Sequence, residues 1–253
     1  MQRERHQSER ARLDLRVVEL GLAPSRARAR DLIRRGLVEV AGVVAMRPGA
    51  GVAADAPIRV TGLEAGYVSR GALKLVVALE HFRFPASGAA ALDVGASTGG
   101  FTEVLLAAGA RRVYAVDVGR DQLHPRLRED TRVVSLEGQD ARALDLTLVP
   151  EPVGAVVADV SFISLAKVLP VPLALAGPGA WLVALIKPQF EVGRAAVGKG
   201  GIVRDTAERR RAVDLVRGWV AAQSGWRVEG IIPSPIAGGS GNEEFLLGAV
   251  RDE

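Results

Sequence analysis

The stretch "ALDVGASTGGF", residues 91–101, decides the fold of this chain of 253 residues. An apolar run, typical of the end of a buried strand, passes directly into a turn that contains three glycines. A strand that leads through such a turn into a helix is the ligand-binding unit of many α/β proteins. The pattern therefore predicts a binding site at residues 95–100.

Beyond this stretch, strand-like apolar runs alternate with helical stretches. The predicted strands are "AALDV" (90–94), "RVYAVDV" (112–118), "RVVSLE" (132–137), "GAVVADV" (154–160), "WLVALIK" (181–187), "RVEGIIP" (227–233) and "EEFLLGAV" (243–250). The predicted helical stretches are 100–108, 121–128, 161–169 and 205–224. This alternation indicates an α/β fold with a doubly wound, mostly parallel sheet, which binds ligands at the carboxyl ends of its strands.

Composition excludes several classes of protein. Hydrophobic residues make up 48% of the chain and charged residues 25%, which is enough apolar material for a sizeable core. Cysteine is absent, so disulfides, thiolate metal sites and cysteine nucleophiles are excluded. The charged first residues do not resemble a secretory signal, and prolines break the most apolar stretch, residues 168–188. We therefore expect a cytoplasmic protein without a membrane span.

The positive charge is concentrated at the N-terminus. Residues 1–62 hold 12 Arg or Lys against 7 Asp or Glu, whereas residues 63–253 hold 21 against 22. Such asymmetry points to a nucleic-acid or membrane partner, although a solvated charged face would look the same. Leu13, Val17 and Leu20 have helical spacing, and a second, arginine-rich helix is predicted between Ser25 and Gly36.

The pattern of this segment, two basic helices followed by "GLVEVAG" at 36–42, resembles the S4 RNA-binding domain. The resemblance implies a small α+β domain over residues 1–62 with an ordered core at about 10–60, and a linker over 63–68. The second domain would then cover residues 69–253. The resemblance also implies that long basic side chains contact RNA phosphates. They are Arg12, Arg26, Arg28, Arg30, Arg34 and Arg35.

Three kinds of site begin with a turn like that at 95–100. "GASTG" matches a nucleophile elbow with Ser97, but a hydrolase of that kind needs a later histidine, and only His124 follows. A dinucleotide-binding loop needs the spacing G-x-G-x-x-G, whereas this turn reads G-x-x-x-G-G. The third kind is the loop beneath S-adenosylmethionine. Ser97 is then a small turn residue.

Aspartates at successive strand ends favour this third kind. Asp117 is placed to accept hydrogen bonds from a ribose diol, and Asp140 from an adenine amino group. Asp93 adds negative charge, which a cationic sulfonium tolerates better than a pyrophosphate does. Each aspartate alone could equally cap a turn or helix. The candidate cofactor-binding residues are Asp93, Gly95, Ala96, Ser97, Thr98, Gly99, Gly100, Asp117, Val118 and Asp140.

The chain uses arginine almost everywhere, and only four of its 33 basic residues are lysines. Lysine can act as a general base when it loses its proton, which arginine does not do. Lys187 ends one predicted strand and Asp159 ends another, so both should lie at the ligand-binding edge. With Lys74 in "YVSRGALKL" and Glu244 in "GNEEFLL", they resemble the Lys-Asp-Lys-Glu tetrad of the FtsJ-like RNA ribose 2′-O-methyltransferases.

The tetrad resemblance implies a role for each of its residues. Lys187 is assigned as the general base for a ribose hydroxyl, and Asp159, Lys74 and Glu244 position the base and the hydroxyl. Each of the four alone would more often be an ordinary surface or salt-bridged residue. No metal is required for this chemistry.

Nearly the whole chain resembles the TlyA group, which joins an S4 domain to an FtsJ-like domain and whose members are also called haemolysins. The matching strings are "YVSRGALKL", "LDVGASTGGFTEVLL", "YAVDVG", "ADVSFISL", "KPQFEVG" and "SGNEEFLL". The resemblance implies a Rossmann-like class I methyltransferase fold with a seven-stranded sheet and S-adenosyl-L-methionine as cofactor. It also implies 2′-O-methylation of cytidine in 16S or 23S ribosomal RNA, with ribosomal RNA and ribosomal subunits as partners. The alternatives are a membrane-active haemolysin and a non-catalytic RNA-binding scaffold.

Two departures from the family pattern stand out. Asp140 occupies a position where asparagine is more usual, and Glu243 lies beside Glu244, although the "GN-x-E-F" register favours Glu244. The basic, glycine-rich loop at 193–205 has two interpretations. It closes over cofactor or RNA, or it is a plain flexible loop.

Overall fold

The computed structural model describes residues 10–23, 25–34, 36–61, 67–238 and 241–252, without the side chain of Arg28. The chain divides into two compact units, residues 1–68 and 69–253. Of the predicted linker, residues 63–66 lie outside the described part of the chain.

The first unit is a small α+β fold. Its elements are β1 (Arg10–Arg12), α1 (Leu13–Glu19), α2 (Arg26–Arg34), β2 (Val38–Val40), β3 (Val43–Val44), β4 (Gly51–Ala53) and β5 (Ile58–Val60). β1 pairs with β4, and β2 lies between β3 and β5. Leu13 and Val17 enter the core with Leu32 and Ile33, as their helical spacing predicts, whereas Leu20 follows the last helical residue and is exposed. β1 and β4 were not predicted.

The second unit is a three-layer α/β fold. Its strands are β6 (Ala90–Val94), β7 (Arg112–Asp117), β8 (Val133–Glu137), β9 (Val153–Ala158), β10 (Ala176–Ile186), β11 (Trp226–Pro233) and β12 (Phe245–Arg251). Its helices are α3 (Ala72–Phe82), α4 (Gly100–Ala107), α5 (Pro125–Arg128), α6 (Leu165–Val168), α7 (Pro170–Ala174), α8 (Pro188–Glu191) and α9 (Thr206–Ala221). Two 3₁₀ turns lie at 141–143 and 194–196.

The seven strands form one sheet in the order β11-β12-β10-β9-β6-β7-β8. All neighbouring pairs from β10 to β8 are parallel, and β12 runs antiparallel between β10 and β11. Every residue of β6, which lies between β9 and β7, is buried, as expected for a continuous apolar run covered on both faces. The predicted fold class is confirmed.

Several predicted boundaries are wrong. The helix expected at 161–169 begins only at Leu165, and the one expected at 121–128 begins at Pro125. β10 starts five residues before the predicted Trp181, because a register irregularity between Ala176 and Trp181 accommodates the Gly-Pro-Gly segment. In the described part of the chain, no helix is both long enough and apolar enough to cross a membrane.

The turn after β6 depends on its first glycine. Gly95 has a φ of +83°, and a Cβ atom at this position would lie 2.6 Å from the carbonyl oxygen of Asp159. Only glycine combines this backbone conformation with so close an approach. The turn therefore packs directly against the end of β9, where Asp159 begins the following loop.

Candidate active site

Two neighbouring cavities open at the carboxyl edge of the central strands. The first, of about 360 Å³, contains Lys74 and Lys187 in its wall and is called here the lysine cavity. The second, of about 560 Å³, contains Asp117 and Asp140 and is called the aspartate cavity. The two share lining residues, which are Gly95, Ser97, Asp159 and Ser161. Both cavities therefore meet at the glycine-rich turn.

The four residues predicted as a tetrad lie side by side. Lys74, on α3, has its Nζ 2.6 Å from Oε2 of Glu244 and 3.9 Å from Oδ2 of Asp159. Nζ of Lys187 lies 2.6 Å from Oδ1 of Asp159. Acid and base thus alternate in one row, Glu244–Lys74–Asp159–Lys187, although Lys74 and Glu244 are 170 positions apart.

The two ends of this row have different environments. Glu244 and Lys74 are only 4% and 7% exposed, so their ion pair is part of the interior. The side chains of Asp159 and Lys187 are somewhat more exposed, at 22% and 12%. All four side chains line the lysine cavity. The arrangement can hold the amine of Lys187 at the cavity wall. The inner ion pair of Lys74 and Glu244 fixes Asp159, which is the carboxylate partner of Lys187.

The register of the last strand distinguishes the two adjacent glutamates. Glu243 is largely exposed and pairs with Arg209 on α9, whereas Glu244 points inward to Lys74. Both precede β12, which begins at Phe245 and not at Glu243 as predicted.

Two residues at this edge were missed in the sequence. Ser161 accepts a hydrogen bond from Nζ of Lys187 at 2.9 Å. Phe162 is 91% exposed, has a φ of +66°, and lies with its ring centroid 5.1 Å from that of Phe190. Strained non-glycine residues concentrate at functional sites. The available signal was a rare aromatic residue three positions after the strand-end aspartate Asp159, in "ADVSF" (158–162).

Asp117 links the turn to the next loop. Its Oδ2 accepts a hydrogen bond from the backbone N–H of Ser97 at 2.8 Å, and its Oδ1 accepts one from Gly119 at 2.7 Å. These bonds hold the carboxylate in the wall of the aspartate cavity, beside the exposed Val118. Each oxygen keeps a further lone pair for a ligand.

The other candidate cofactor residues divide among the two cavities and the interior. Those in the wall of the lysine cavity are Gly95, Ala96, Ser97, Thr98 and Gly100. Gly99 and Asp93 line neither cavity. Asp93 is fully buried behind the turn, where it accepts a hydrogen bond from the Thr102 hydroxyl at 2.6 Å. Burial raises the pKa of Asp93 to about 7.

Asp140 lies in the wall of the aspartate cavity but is also occupied within the protein. Its carboxylate accepts a hydrogen bond from the backbone N–H of Arg142 at 2.9 Å and pairs with the same residue's guanidinium at 2.6 Å. Hydrogen bonding to Arg142 lowers the pKa of Asp140. The residue therefore caps the 3₁₀ turn that follows, which is the alternative that the sequence left open.

The basic, glycine-rich loop at 193–205 is tied to the tetrad segment. Asn242, which is 2% exposed, accepts a hydrogen bond from the N–H of Val203 at 3.0 Å and donates one to the carbonyl of Gly201 at 2.8 Å. The end of the loop is thus fixed to the residues that precede Glu244.

Two of the six candidate RNA-binding arginines hold a buried carboxylate in the first unit. Nε of Arg12 lies 3.0 Å from Oδ1 of Asp14, and Nε of Arg26 lies 2.9 Å from Oδ2. Asp14 is fully buried, whereas both guanidinium groups are about half exposed. Arg30 and Arg34 are exposed on α2. The side chain of Arg28 and the whole of Arg35 lie outside the described residues.

We expect Asp14→Asn to destabilise the first unit by about 1–2 kcal/mol near pH 7, a value reduced by solvent screening of the half-exposed arginines. The hydrogen bond from Arg12 lowers the pKa of Asp14 to about 2. Because this value lies below that of an unfolded chain, the stabilisation is present above about pH 4 and is lost as the pH falls towards 2. Hydrogen exchange of α1 amides in the full chain measures it, with the exposed Asp55→Asn as control. Equal protection in both variants at neutral pH would contradict the prediction.

Family models match both units of the chain. The FtsJ-like methyltransferase family matches residues 67–251, and the S4 domain matches residues 11–55. The chain is 48% identical to the 16S/23S rRNA (cytidine-2′-O)-methyltransferase TlyA of Mycobacterium tuberculosis, over 94% of this chain and 89% of that protein. It is 39% identical to Hemolysin A of Brachyspira hyodysenteriae, over 93% of this chain and 98% of that protein.

Solved structures agree with these matches. A structure from Streptococcus thermophilus that carries a hemolysin name has a TM-score of 0.75 and 38% identity, over 97% of this chain and 90% of that one. An O-methyltransferase from Bacillus cereus in complex with SAH has a TM-score of 0.51 at 18% identity, over 75% of this chain and 84% of that one, which shows a shared fold. The chain therefore belongs to the FtsJ-like methyltransferase family, in the group that carries an S4 domain and includes TlyA, and it is an S-adenosylmethionine-dependent methyltransferase, as its sequence predicted.

Proposed function

We propose that this protein methylates the ribose 2′-oxygen of cytidines in ribosomal RNA, of the 16S or the 23S type or both, with Lys187 as the general base. The observation that carries the proposal is the row Glu244–Lys74–Asp159–Lys187 in the wall of a cavity that adjoins the glycine-rich turn. The name of the Mycobacterium tuberculosis relative supports the choice of cytidine and of ribosomal RNA. Action on ribosomal RNA also supports a cytoplasmic location.

The residues of the aspartate cavity fit S-adenosylmethionine, which supplies an electrophilic methyl group when bound. A cavity of about 560 Å³ lies within the range of small-molecule sites. The fixed carboxylate of Asp117 is suited to accept hydrogen bonds from a ribose diol, and Asp140 keeps lone pairs for an adenine amino group. Gly95 and Ser97 lie at the junction of the two cavities, where the transferable methyl group would have to sit.

In the proposed reaction, the neutral amine of Lys187 removes the proton of the ribose 2′-hydroxyl. The 2′-oxygen would then take the methyl group that S-adenosylmethionine supplies, with the carbon–sulfur bond broken, and Lys187 would keep the proton on Nζ. Asp159 orients the amine, because its Oδ1 lies 2.6 Å from Nζ. Lys74 and Glu244 hold Asp159 from the interior side. Alignment of the attacking oxygen with the methyl group contributes the remaining acceleration.

RNA would be bound by both units. The exposed arginines of the first unit, proposed here as an RNA-binding module over residues 1–62, suit phosphate groups of ribosomal RNA and ribosomal subunits. Near the cavities, the exposed ring of Phe162 offers a stacking surface for an unpaired base. The methyltransferase domain would follow from residue 69 to 253, after the linker at 63–68.

The proposal is tested by methylating purified 30S and 50S subunits with the full chain and labelled S-adenosylmethionine, followed by mapping of 2′-O-methyl groups. We expect label on cytidine ribose in at least one subunit, and none with Lys187→Ala. Label on a base, or on another ribonucleotide, would overturn the substrate assignment.

Because some relatives carry hemolysin names, a membrane-active protein is the alternative to the proposed function. Leakage of liposomes that is retained by Lys187→Ala, together with no transfer to either subunit, would favour that alternative. A non-catalytic scaffold would bind RNA but transfer no methyl group from bound S-adenosylmethionine.

Asp117→Asn is expected to weaken S-adenosylmethionine binding roughly tenfold or more, because the new amide group faces the N–H donors of Ser97 or Gly119 and offers fewer acceptors to the ligand. Calorimetry on the full chain measures the affinity. Asp121→Asn is the control, since this side chain is almost fully exposed in the same loop. Equal affinities of the two variants would remove Asp117 from the cofactor site.

A further inference from the structure

Ser161 contacts the tetrad, although it is not one of its four members. It lies two residues after Asp159, lines both cavities, and its Oγ is 2.9 Å from Nζ of Lys187. The amine of Lys187 therefore has two partners within the protein, the carboxylate of Asp159 at 2.6 Å and this hydroxyl.

A neutral amine has two N–H donors and one lone pair, in a tetrahedral arrangement that includes the Cε–Nζ bond. The Ser161 hydroxyl accepts one of these donors at 2.9 Å, and the carboxylate of Asp159 attracts the amine as an ion-pair partner at 2.6 Å. The lone pair is then directed away from both oxygens, because an electron-rich oxygen attracts the N–H groups and not the lone pair. Lys187, Asp159 and Ser161 all line the lysine cavity, so a lone pair that avoids both oxygens can meet a hydroxyl substrate bound in that cavity.

The surrounding fold holds the serine and the lysine in a fixed relation. The N–H of Asp159 donates to the carbonyl of Val94 at 3.0 Å, which fixes the start of the loop at 159–165. The end of that loop is fixed by Glu191, which accepts hydrogen bonds from the Ser164 hydroxyl at 2.6 Å and from the Leu165 N–H at 2.9 Å. Glu191 closes α8, which follows Lys187 directly. The loop with Ser161 is thus fixed at both ends, and its second end is bonded to the helix that directly follows Lys187.

We propose that Ser161 is a positioning residue which, together with Asp159, aims the lone pair of Lys187 at the substrate hydroxyl. This inference rests on the proposed function, in which Lys187 is the base. Without Ser161, one N–H donor of the amine has no protein partner. The lone pair is then free to rotate about the Cε–Nζ bond, away from the hydroxyl.

Two possible effects of removing the hydroxyl have opposite signs. An oxygen that accepts a hydrogen bond stabilises the ammonium form, so its loss alone would favour the neutral amine and raise the rate near neutral pH. Loss of orientation lowers the rate at every pH, because the lone pair is less often in line with the proton it must take. The direction of the change therefore separates positioning from a simple influence on charge.

The experiment compares single-turnover methylation of 30S and 50S subunits by Ser161→Ala, Ser161→Thr and the unchanged full chain, at saturating S-adenosylmethionine, from neutral to alkaline pH. We expect the alanine variant to be slower by roughly tenfold to a hundredfold across this range. The threonine variant, which keeps the hydroxyl, should stay within about threefold of the unchanged protein, because both acceptors remain. Affinities for S-adenosylmethionine and for the subunits should be unchanged in both. Ser87→Ala, at the opposite edge of the sheet, is the matched control.

A rate of Ser161→Ala that is unchanged or raised would overturn the proposal, and so would a threonine variant as slow as the alanine variant. Lys187→Arg in the same assay separates this inference from the proposed function. An active arginine variant would remove the base assignment itself. An inactive arginine variant beside a fully active Ser161→Ala would overturn the role of Ser161 alone.

Discussion

Lys187→Arg is expected to lower the rate of methyl transfer by at least about 10²–10⁴-fold, the usual contribution of a general base. Arginine keeps the positive charge and the contact with Asp159, but its guanidinium stays protonated and cannot accept the hydroxyl proton. Binding of RNA and of S-adenosylmethionine should persist, because neither needs a neutral amine. Single-turnover methylation of ribosomal subunits, with separate binding measurements, distinguishes the two effects.

The matched control for this substitution is Lys167→Arg. Lys167 is an exposed lysine on α6, away from the row of four, and its replacement should leave the rate within about twofold. Substantial turnover by Lys187→Arg would mean that another group, or solvent, takes the proton. A joint loss of RNA binding would mean that the side chain has a structural role.

Glu244→Ala is expected to destabilise the methyltransferase unit by about 3 kcal/mol and to abolish activity. The substitution leaves the ammonium of Lys74, which is 7% exposed, with only the carboxylate of Asp159 at 3.9 Å. An uncompensated charge in the interior destabilises the folded protein, because no polar group replaces the water that the charge loses on folding. Urea unfolding of the full chain, followed by the tryptophan signal, measures the change.

Glu243→Ala is the control for this substitution, since it removes the same side chain one position earlier. Glu243 is 62% exposed and forms a surface ion pair with Arg209, so its loss should cost no more than about 1 kcal/mol. Equal effects of the two substitutions would show that the inward direction of Glu244 has no energetic importance. A larger effect of Glu243 would transfer the tetrad role to that residue.

Much of the second unit could be predicted from local patterns alone. The strand at Ala90–Val94 and the helix after the turn were correctly located, because continuous apolar runs and glycine clusters act over short distances. The helix expected at 161–169 was wrong in its first half. There the backbone of Phe162 has a positive φ, and the helix begins only where Glu191, from a distant segment, caps Leu165. A cap from 26 positions away leaves no signal in the local sequence.

Asp93 and Asp117 show the same limit at the site. Both were predicted at strand ends, yet Asp93 pairs in register with Ala115, two residues before Asp117. This places Asp93 deeper in the sheet, where burial excludes it from both cavities, and leaves Asp117 at the cavity wall. The apolar pattern of one strand carries no information on its register with the neighbouring strand. The sequence therefore could not show which of Asp93 and Asp117 lines a cavity.

By itself, the sequence determined the seven strands of the second unit, the glycine-rich turn and the helix after it, the basic first unit and the set of four residues whose types suit proton removal from a hydroxyl. Only the tertiary structure decided which acid meets which lysine, which glutamate points inward and that Ser161 joins the amine. The physical reason is that residue type and spacing determine structure only over short stretches of the chain. Contacts between Lys74, Asp159, Lys187 and Glu244, by contrast, depend on sheet register and on the packing of helices between distant segments.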